Sequence, residues 1–272
     1  MTGGSAGFDG LAGAEPTPAP RPPAGIVTVP DRTPAATRLT LIRHGEAVCN
    51  TSGVCGGLLG CGGLTDRGRR QVEALGDRLA RTGELAGTDA LYASVLPRAV
   101  QTAELLAPAM AGAGSAPSVA GKRHAAPPAV VTDCGLCELH PGEADGLSWD
   151  EFTARFGTVD WDVDPNQPIA PGGESWTGFV NRVALALDSL VASHPGQRVV
   201  VACHAGVVEA SLLAKLPVAG GLTGTRLQLR TEHASMTSWE IDRGRWRLLG
   251  YNDAVHHRAV RGQWAPTPVQ QA

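Results

Sequence analysis

The sequence predicts an α/β chain, a three-layer sandwich whose central, mostly parallel sheet carries helices on both faces. Two observations carry this. From residue 38 onward, strand-like apolar runs alternate with stretches of helical periodicity, the pattern that builds βαβ units. Two of those runs, Leu39-Thr40-Leu41-Ile42 and Arg198-Val199-Val200-Val201-Ala202-Cys203, are short and apolar, as expected of parallel strands buried on both faces.

Each element has its own warrant. Arg38 to Arg43 is the first strand. Thr65 is placed as the N-cap of a helix whose Val72, Leu75 and Leu79 share one face. Asp89 to Ala93 reads as a short strand, and Leu96 to Ala107 as a helix with Ala99, Val100, Ala103 and Leu106 in step. Val130 and Val131 suggest another strand. A longer helix runs from about Glu174 to Ser193, with Phe179, Val183, Ala186, Leu187 and Leu190 spaced to face a core, and His194-Pro195-Gly196 ends it. After the strand Arg198–Cys203 come His204-Ala205-Gly206 and an apolar helix from Val207 to Leu216. Segments near Arg226–Leu229, Ser235–Ile241 and Trp246–Tyr251 read as strands joined by turns, including Asp242-Arg243-Gly244.

The domain is thus expected over residues 38–261. The first 37 residues are rich in Gly, Ala, Pro and Thr and read as a disordered leader or tether; residues 262–272 read as a flexible tail, and Ala107 to Ala129 as an inserted loop. The leader lacks the basic start and apolar core of a signal peptide, so a cytoplasmic location is expected. The six cysteines (Cys49, Cys55, Cys61, Cys134, Cys137 and Cys203) are accordingly expected as reduced thiols. Cys134-Gly135-Leu136-Cys137 is a CxxC, but one isolated pair does not make a four-ligand zinc site, and no metal is expected. The formal net charge of -3 gives no global attraction to nucleic acid or anionic membrane, and no apolar run approaches the roughly 18 residues of a membrane span. The expected partner is a small molecule. Any anion site must come from a local cluster of cations.

Such a cluster is legible. The first strand ends in Arg43-His44-Gly45-Glu46 and a later one in His204-Ala205-Gly206. If the two strands are parallel neighbours, His44 and His204 stand together at the carboxyl edge of the sheet, where open α/β folds bind ligands. The helix after His204 adds N–H groups and a positive dipole end; Arg43 and Arg98 add guanidinium groups. Two arginines and two imidazoles at one point describe a pocket for a phosphoryl dianion.

With these motifs the chain resembles the histidine phosphatase superfamily, which includes the cofactor-dependent phosphoglycerate mutases. Five features carry the resemblance: Arg43-His44-Gly45-Glu46 with Asn50; Gly63-Leu64-Thr65-Asp66-Arg67-Gly68; Ser94-Val95-Leu96-Pro97-Arg98-Ala99-Val100-Gln101-Thr102-Ala103; Leu136-Cys137-Glu138 before Gly142 and Gly146; and His204-Ala205-Gly206. Pro171-Gly172-Gly173-Glu174-Ser175 and Ser235-Met236-Thr237 support it. It spans roughly residues 38–258.

The resemblance implies that His44 is the nucleophile, Glu138 the proton donor, and Arg43, Arg98 and His204 the phosphate holders. Asn50, Ala205 and Gly206 would contact the phosphoryl group or substrate, and neither a cofactor nor a metal would be needed. It places the glycine-rich segment Gly53 to Gly63 near the substrate. The implied activity is hydrolysis of a small-molecule phosphate ester through a phosphohistidine, with a phosphoglycerate-type mutase and a silent phospho-ligand binder as alternatives. Glu143 and Asp145 lie close enough in sequence to rival Glu138 as the acid. His124, His140, His194, His233, His256 and His257 are expected on the surface or in loops, and Asn252-Asp253 at the pocket rim.

Overall fold

The computed structural model describes residues 35–111, 126–215 and 229–257. Nearly all of the expected leader, the tail, His124 and most of the Arg226–Leu229 segment lie outside the described residues. In chain order the elements are β1 (Thr37–Arg43), α1 (Val48–Ser52), α2 (Asp66–Thr82), β2 (Ala90–Ala93), α3 (Pro97–Met110), β3 (Val130–Thr132), α4 (Trp149–Phe156), α5 (Trp176–Ser193), β4 (Arg198–Cys203), α6 (Ala205–Lys215), β5 (Met236–Asp242) and β6 (Arg245–Asp253). They form the predicted architecture: one six-stranded sheet in the order β3-β2-β4-β1-β5-β6, flanked by helices. β3, β2, β4 and β1 run parallel, and β5 and β6 add an antiparallel edge.

Alternation along the central strands divides the core into two layers. Leu39, Leu41, Val199 and Val201 face one side, under Phe179, Val183 and Leu187 of α5 and Val207 and Val208 of α6. Ile42, Val200 and Ala202 face the other, under Val72, Leu75 and Leu79 of α2 and Ala103 and Leu106 of α3. Each fully buried aliphatic side chain contributes about 1.5–3 kcal/mol relative to exposure, so these layers fix β1 beside β4.

Several boundaries differ from expectation. α3 continues through Pro108 to Met110: the proline gives up one N–H donor, and the buried Leu106 and Met110 keep that turn on the core. α6 begins at Ala205, directly after the histidine. α1 and α4 were not anticipated. α4 nevertheless had a signal, since Ser148 accepts from Glu151 N–H while the Glu151 carboxylate accepts from Ser148 N–H, a reciprocal capping box.

The glycines of two motifs serve one contact. The first turn of α2 lies directly on the Gly45-Glu46 backbone, and Thr65 caps that helix through Gly68 N–H. A Cβ built on Gly45 would stand 2.4 Å from Gly68 O, and one on Gly68 would meet Glu46 O at 1.9 Å. Neither position admits a side chain. The fold thereby clamps the backbone that leaves β1.

Candidate active site

β1 and β4 pair in parallel with Arg43 opposite Cys203, so His44 and His204 follow at the same height at the carboxyl edge. His44 N–H donates to Cys203 O, and the two rings lie 5.1 Å apart, edge to face. Helices on both sides hold this edge in register. Thr102 Oγ1 of α3 accepts Gly45 N–H at 3.3 Å, and Gln71 Oε1 of α2 accepts Glu46 N–H at 2.8 Å. The buried Glu46 carboxylate accepts Thr65 Oγ1–H and pairs with Arg67, which makes it a structural anchor.

The tautomer of His44 follows from its partners. Its Nδ1 lies 2.6 Å from Gly45 O, which can only accept, so Nδ1 carries the hydrogen. Nε2 then holds the lone pair and accepts from Arg98 Nε–H at 3.2 Å. Burial, and then the neighbouring Arg98, hold the His44 pKa well below that of a free imidazole. The ring is neutral at pH 7. Arg98 enters as the second residue of α3 and also donates through Nη1 to Gly56 O at 2.7 Å. Arg43 donates through Nη1 to Thr231 O while its Nε has no partner among the described residues. Burial lowers the Arg43 pKa to about 10, which leaves it a cation at neutral pH.

His204 is fully buried, neither of its ring nitrogens has a hydrogen-bond partner among the described residues, and burial depresses its pKa well below the usual value. Two buried imidazole nitrogens and a guanidinium N–H left unsatisfied beside a neutral histidine make an incomplete polar network. Such groups are costly unless a ligand completes it.

A cavity of about 450 Å³ opens over this cluster. Arg43, His44, Asn50, Arg98, Glu138, Ala205 and Gly206 all line it; His204 stands behind His44 and does not. The glycine-rich segment contributes Val54, Cys55, Gly56 and Gly57 to the wall, as expected. Glu138 accepts Gly206 N–H at 3.2 Å, so the start of α6 is turned toward a carboxylate. A Cβ on Gly206 would stand 2.2 Å from Glu138 Oε1, and only glycine permits that approach. Of the rival acids, Glu143 is exposed and does not line the cavity. Asp145 accepts Leu59 and Gly60 N–H, both at 2.9 Å, and so staples the glycine-rich segment. Asn50 Oδ1 accepts Ala47 N–H and contacts His233 Nε2 at 3.2 Å.

Three of the histidines expected on the surface or in loops, His233, His256 and His257, lie in connecting segments outside the named helices and strands but are buried. The reason is tertiary. The residues before β5 fold back onto the end of β1, where Ala234 N–H donates to His44 O, and His233 comes to 5.7 Å from the His44 ring. His256 and His257 pack edge-on at 4.5 Å after β6. Neither Asn252 nor Asp253 lines the cavity. Asn252 Oδ1 accepts from Glu232 N–H behind the wall, and Asp253 pairs with Arg78.

Sequence reasoning also missed Glu209. It lies one turn beyond Gly206 on α6 and lines the cavity; burial, and then Glu138, push its pKa up to about 7. Its spacing of three from Gly206 was the available signal. Trp149, Trp161 and Trp176 form the outer wall, the last two stacked at 5.7 Å.

The chain belongs to the histidine phosphatase superfamily (branch 1), whose model matches residues 39–254. It is similar to the metal-independent phosphoserine phosphatase of Arabidopsis thaliana, at 28% identity over 82% of this chain and 84% of that protein. It is also similar to phosphoglycerate mutase-like protein 4 of the same plant, at 30% identity over 63% of this chain and 67% of that one. Among solved structures, a mycobacterial glucosyl-3-phosphoglycerate phosphatase in complex with VO3 superposes with a TM-score of 0.59 at 27% identity, covering 79% of this chain and 99% of that one. No helix among the described residues is long and apolar enough to cross a membrane.

Proposed function

We propose that this member of the superfamily is a phosphatase that hydrolyses small-molecule phosphate monoesters through a phosphohistidine on His44. The observation that carries the reading is the fixed tautomer. Gly45 O holds the proton on Nδ1, leaving Nε2 of a neutral imidazole as the nucleophile at the cavity floor.

In the first step Nε2 bonds to phosphorus as the bond from phosphorus to the ester oxygen breaks. Arg98 turns from Nε2 to a phosphoryl oxygen, and Arg43, which also lines the cavity, supplies further donors, while the buried His204 packs against the edge of His44. Gly45 O stabilises the charge that develops on the ring. Glu138 gives its proton to the departing alkoxide, then takes one from the water that attacks the phosphohistidine, which returns His44 and releases phosphate. The tryptophan wall suits an ester with an apolar or planar body. No metal enters this scheme.

A mutase must also hold a second phosphate, and the cavity favours the phosphatase on that point. No arginine or lysine stands between Glu138 and Phe152. Beyond the floor, the cationic side chain on the wall among the described residues is Arg230, already paired with Glu232, while Glu209 adds acid. Turnover of an aryl phosphate by the wild type, lost in His44→Ala, is the expected result. Undiminished turnover in that variant would refute the nucleophile. Isomerisation of 3-phosphoglycerate faster than phosphate release from every ester tried would refute the phosphatase.

A further inference from the structure

Outside the cavity, the turn that carries Glu138 brings together three soft ligands. Cys134, Cys137 and His140 offer two sulfurs and an imidazole nitrogen, all within 4.8 Å of one another. From these distances and their surroundings we infer that Cys134, Cys137 and His140 form a binding site for a thiophilic tetrahedral cation of the Zn²⁺ class.

The geometry is close to that of the loaded site. With bonds of about 2.3 Å to sulfur and about 2.0 Å to nitrogen, tetrahedral zinc sets its ligands roughly 3.8 Å (S to S) and roughly 3.6 Å (S to N) apart. Cys134 Sγ lies 3.4 Å from Cys137 Sγ and 3.5 Å from His140 Nε2. A small rotation of His140 closes the third edge. Both cysteines are free thiols.

The surroundings are those of a metal site. His140 presents Nε2 to the sulfurs while its Nδ1 faces the Glu174 carboxylate at 3.7 Å, the carboxylate–histidine–metal order, with the last few tenths of an ångström left for the ring to close on loading. Glu174 is itself held by Arg182 through two contacts of 2.7 Å. The backbone is preformed: Asp133 caps the short 3-10 turn at Cys134–Leu136, and Arg182 donates to the carbonyls of Cys134, Gly135, Cys137 and Glu138. Ser94 Oγ, fully buried, donates to Cys137 Sγ at 3.4 Å and supports its thiolate. Binding releases the two thiol protons, and two thiolates then balance the dication. Cys134 is exposed, which leaves the fourth vertex to water. The sequence carries the set as Cys-x2-Cys-x2-His, with Glu138 between the second and third ligands.

The cation would thus clasp the segment on both sides of Glu138. Arg182 already holds that segment, so the site adds rigidity rather than chemistry. The inference does not depend on the catalytic reading, and the test keeps the two apart. The reduced full-length chain is titrated with Zn²⁺ against a chromophoric chelator, and separately with Co²⁺ while thiolate charge-transfer absorption is followed. One ion per chain is expected, with the cobalt thiolate band present. Cys134→Ser and His140→Ala should each weaken binding by about tenfold or more, whereas Cys61→Ser and His44→Ala should leave it unchanged. Binding that survives Cys134→Ser, or that disappears in His44→Ala, overturns the site. Retained phosphatase activity after chelation is expected and bears on the other reading alone.

Discussion

At the scale of single residues, the site separates into a floor that binds charge and two carboxyl groups that can move protons. Glu138 and Glu209 line the same cavity, and Glu209 stays protonated up to about pH 7 in part because Glu138 is near. Either could in principle protonate a leaving group, and kinetics separates them. A nitrophenolate departs without a proton and an alkoxide does not. Glu138→Gln should therefore slow an alkyl phosphate by something like 10²–10⁴-fold and nitrophenyl phosphate much less in its first step. Glu209→Gln should leave that leaving-group ratio unchanged and abolish a kinetic inflection near neutral pH. Exchange of the two outcomes would make Glu209 the acid. His44 gives a further check. Because its pKa lies well below the ordinary imidazole value, the proposed nucleophile stays neutral as pH falls through 6.5, and kcat/KM should show no loss there from its protonation.

At the scale of elements, α5 positions Glu138 without touching the reaction. Arg182, two turns into that helix, gathers four carbonyls of residues 134–138 and the Glu174 carboxylate in one planar fork. Arg182→Met strands Glu174 and frees the turn, and should cost about 2–4 kcal/mol in urea unfolding. Turnover of alkyl phosphates should fall more than that of nitrophenyl phosphate, since the acid loses its position. Arg182→Lys should rescue little, because an ammonium cannot bridge so many acceptors at once. A full rescue by lysine would mean that only the charge matters. The same helix indicates what was legible in the sequence. Its apolar face and its C-terminal stop could be read from spacing, as could the two strands that end in histidine, because buried periodicity is written locally; it starts after the Ser175 cap, two residues later than expected. Glu138 could be placed only through the family resemblance, since a carboxylate in a turn has no periodic signature. His233 and Glu209 were missed for other reasons. A chain reversal before β5 carries His233 there with no local signal, whereas Glu209 follows from its spacing of three from Gly206 once the direction of α6 is known.

At the scale of the whole molecule, the sheet order places the ends of β1 and β4 at the centre, where converging chain segments bury His44 and His204 beneath the cavity. That convergence buries histidines in their neutral form, and stability must then depend on pH. Burial depresses the pKa of His44, His204 and His233 well below the ordinary value, and lowers that of His256 to about 3. In the unfolded chain each titrates near pH 6.5. Below that pH the unfolded state binds protons that the folded state refuses, so their contribution is complete above about pH 6.5 and is lost as pH falls toward the folded values. Glu209 acts in the opposite sense. Its pKa of about 7 lets the folded state keep a proton that the unfolded chain releases above about pH 4.3. Across that window the histidines outweigh the one carboxyl, so unfolding takes up protons on balance, each net proton being worth about 1.4 kcal/mol per pH unit. Against the roughly 5–15 kcal/mol of an ordinary domain, a unit or two of acidification is a measurable loss. Urea unfolding between pH 8 and 5 should therefore show stability nearly level above pH 7 and falling steeply below 6.5. His233→Asn should lower that slope by about one proton. A stability that stays level down to pH 5.5 would mean that the cluster is not held neutral, and with it the nucleophilic state of His44 would fall.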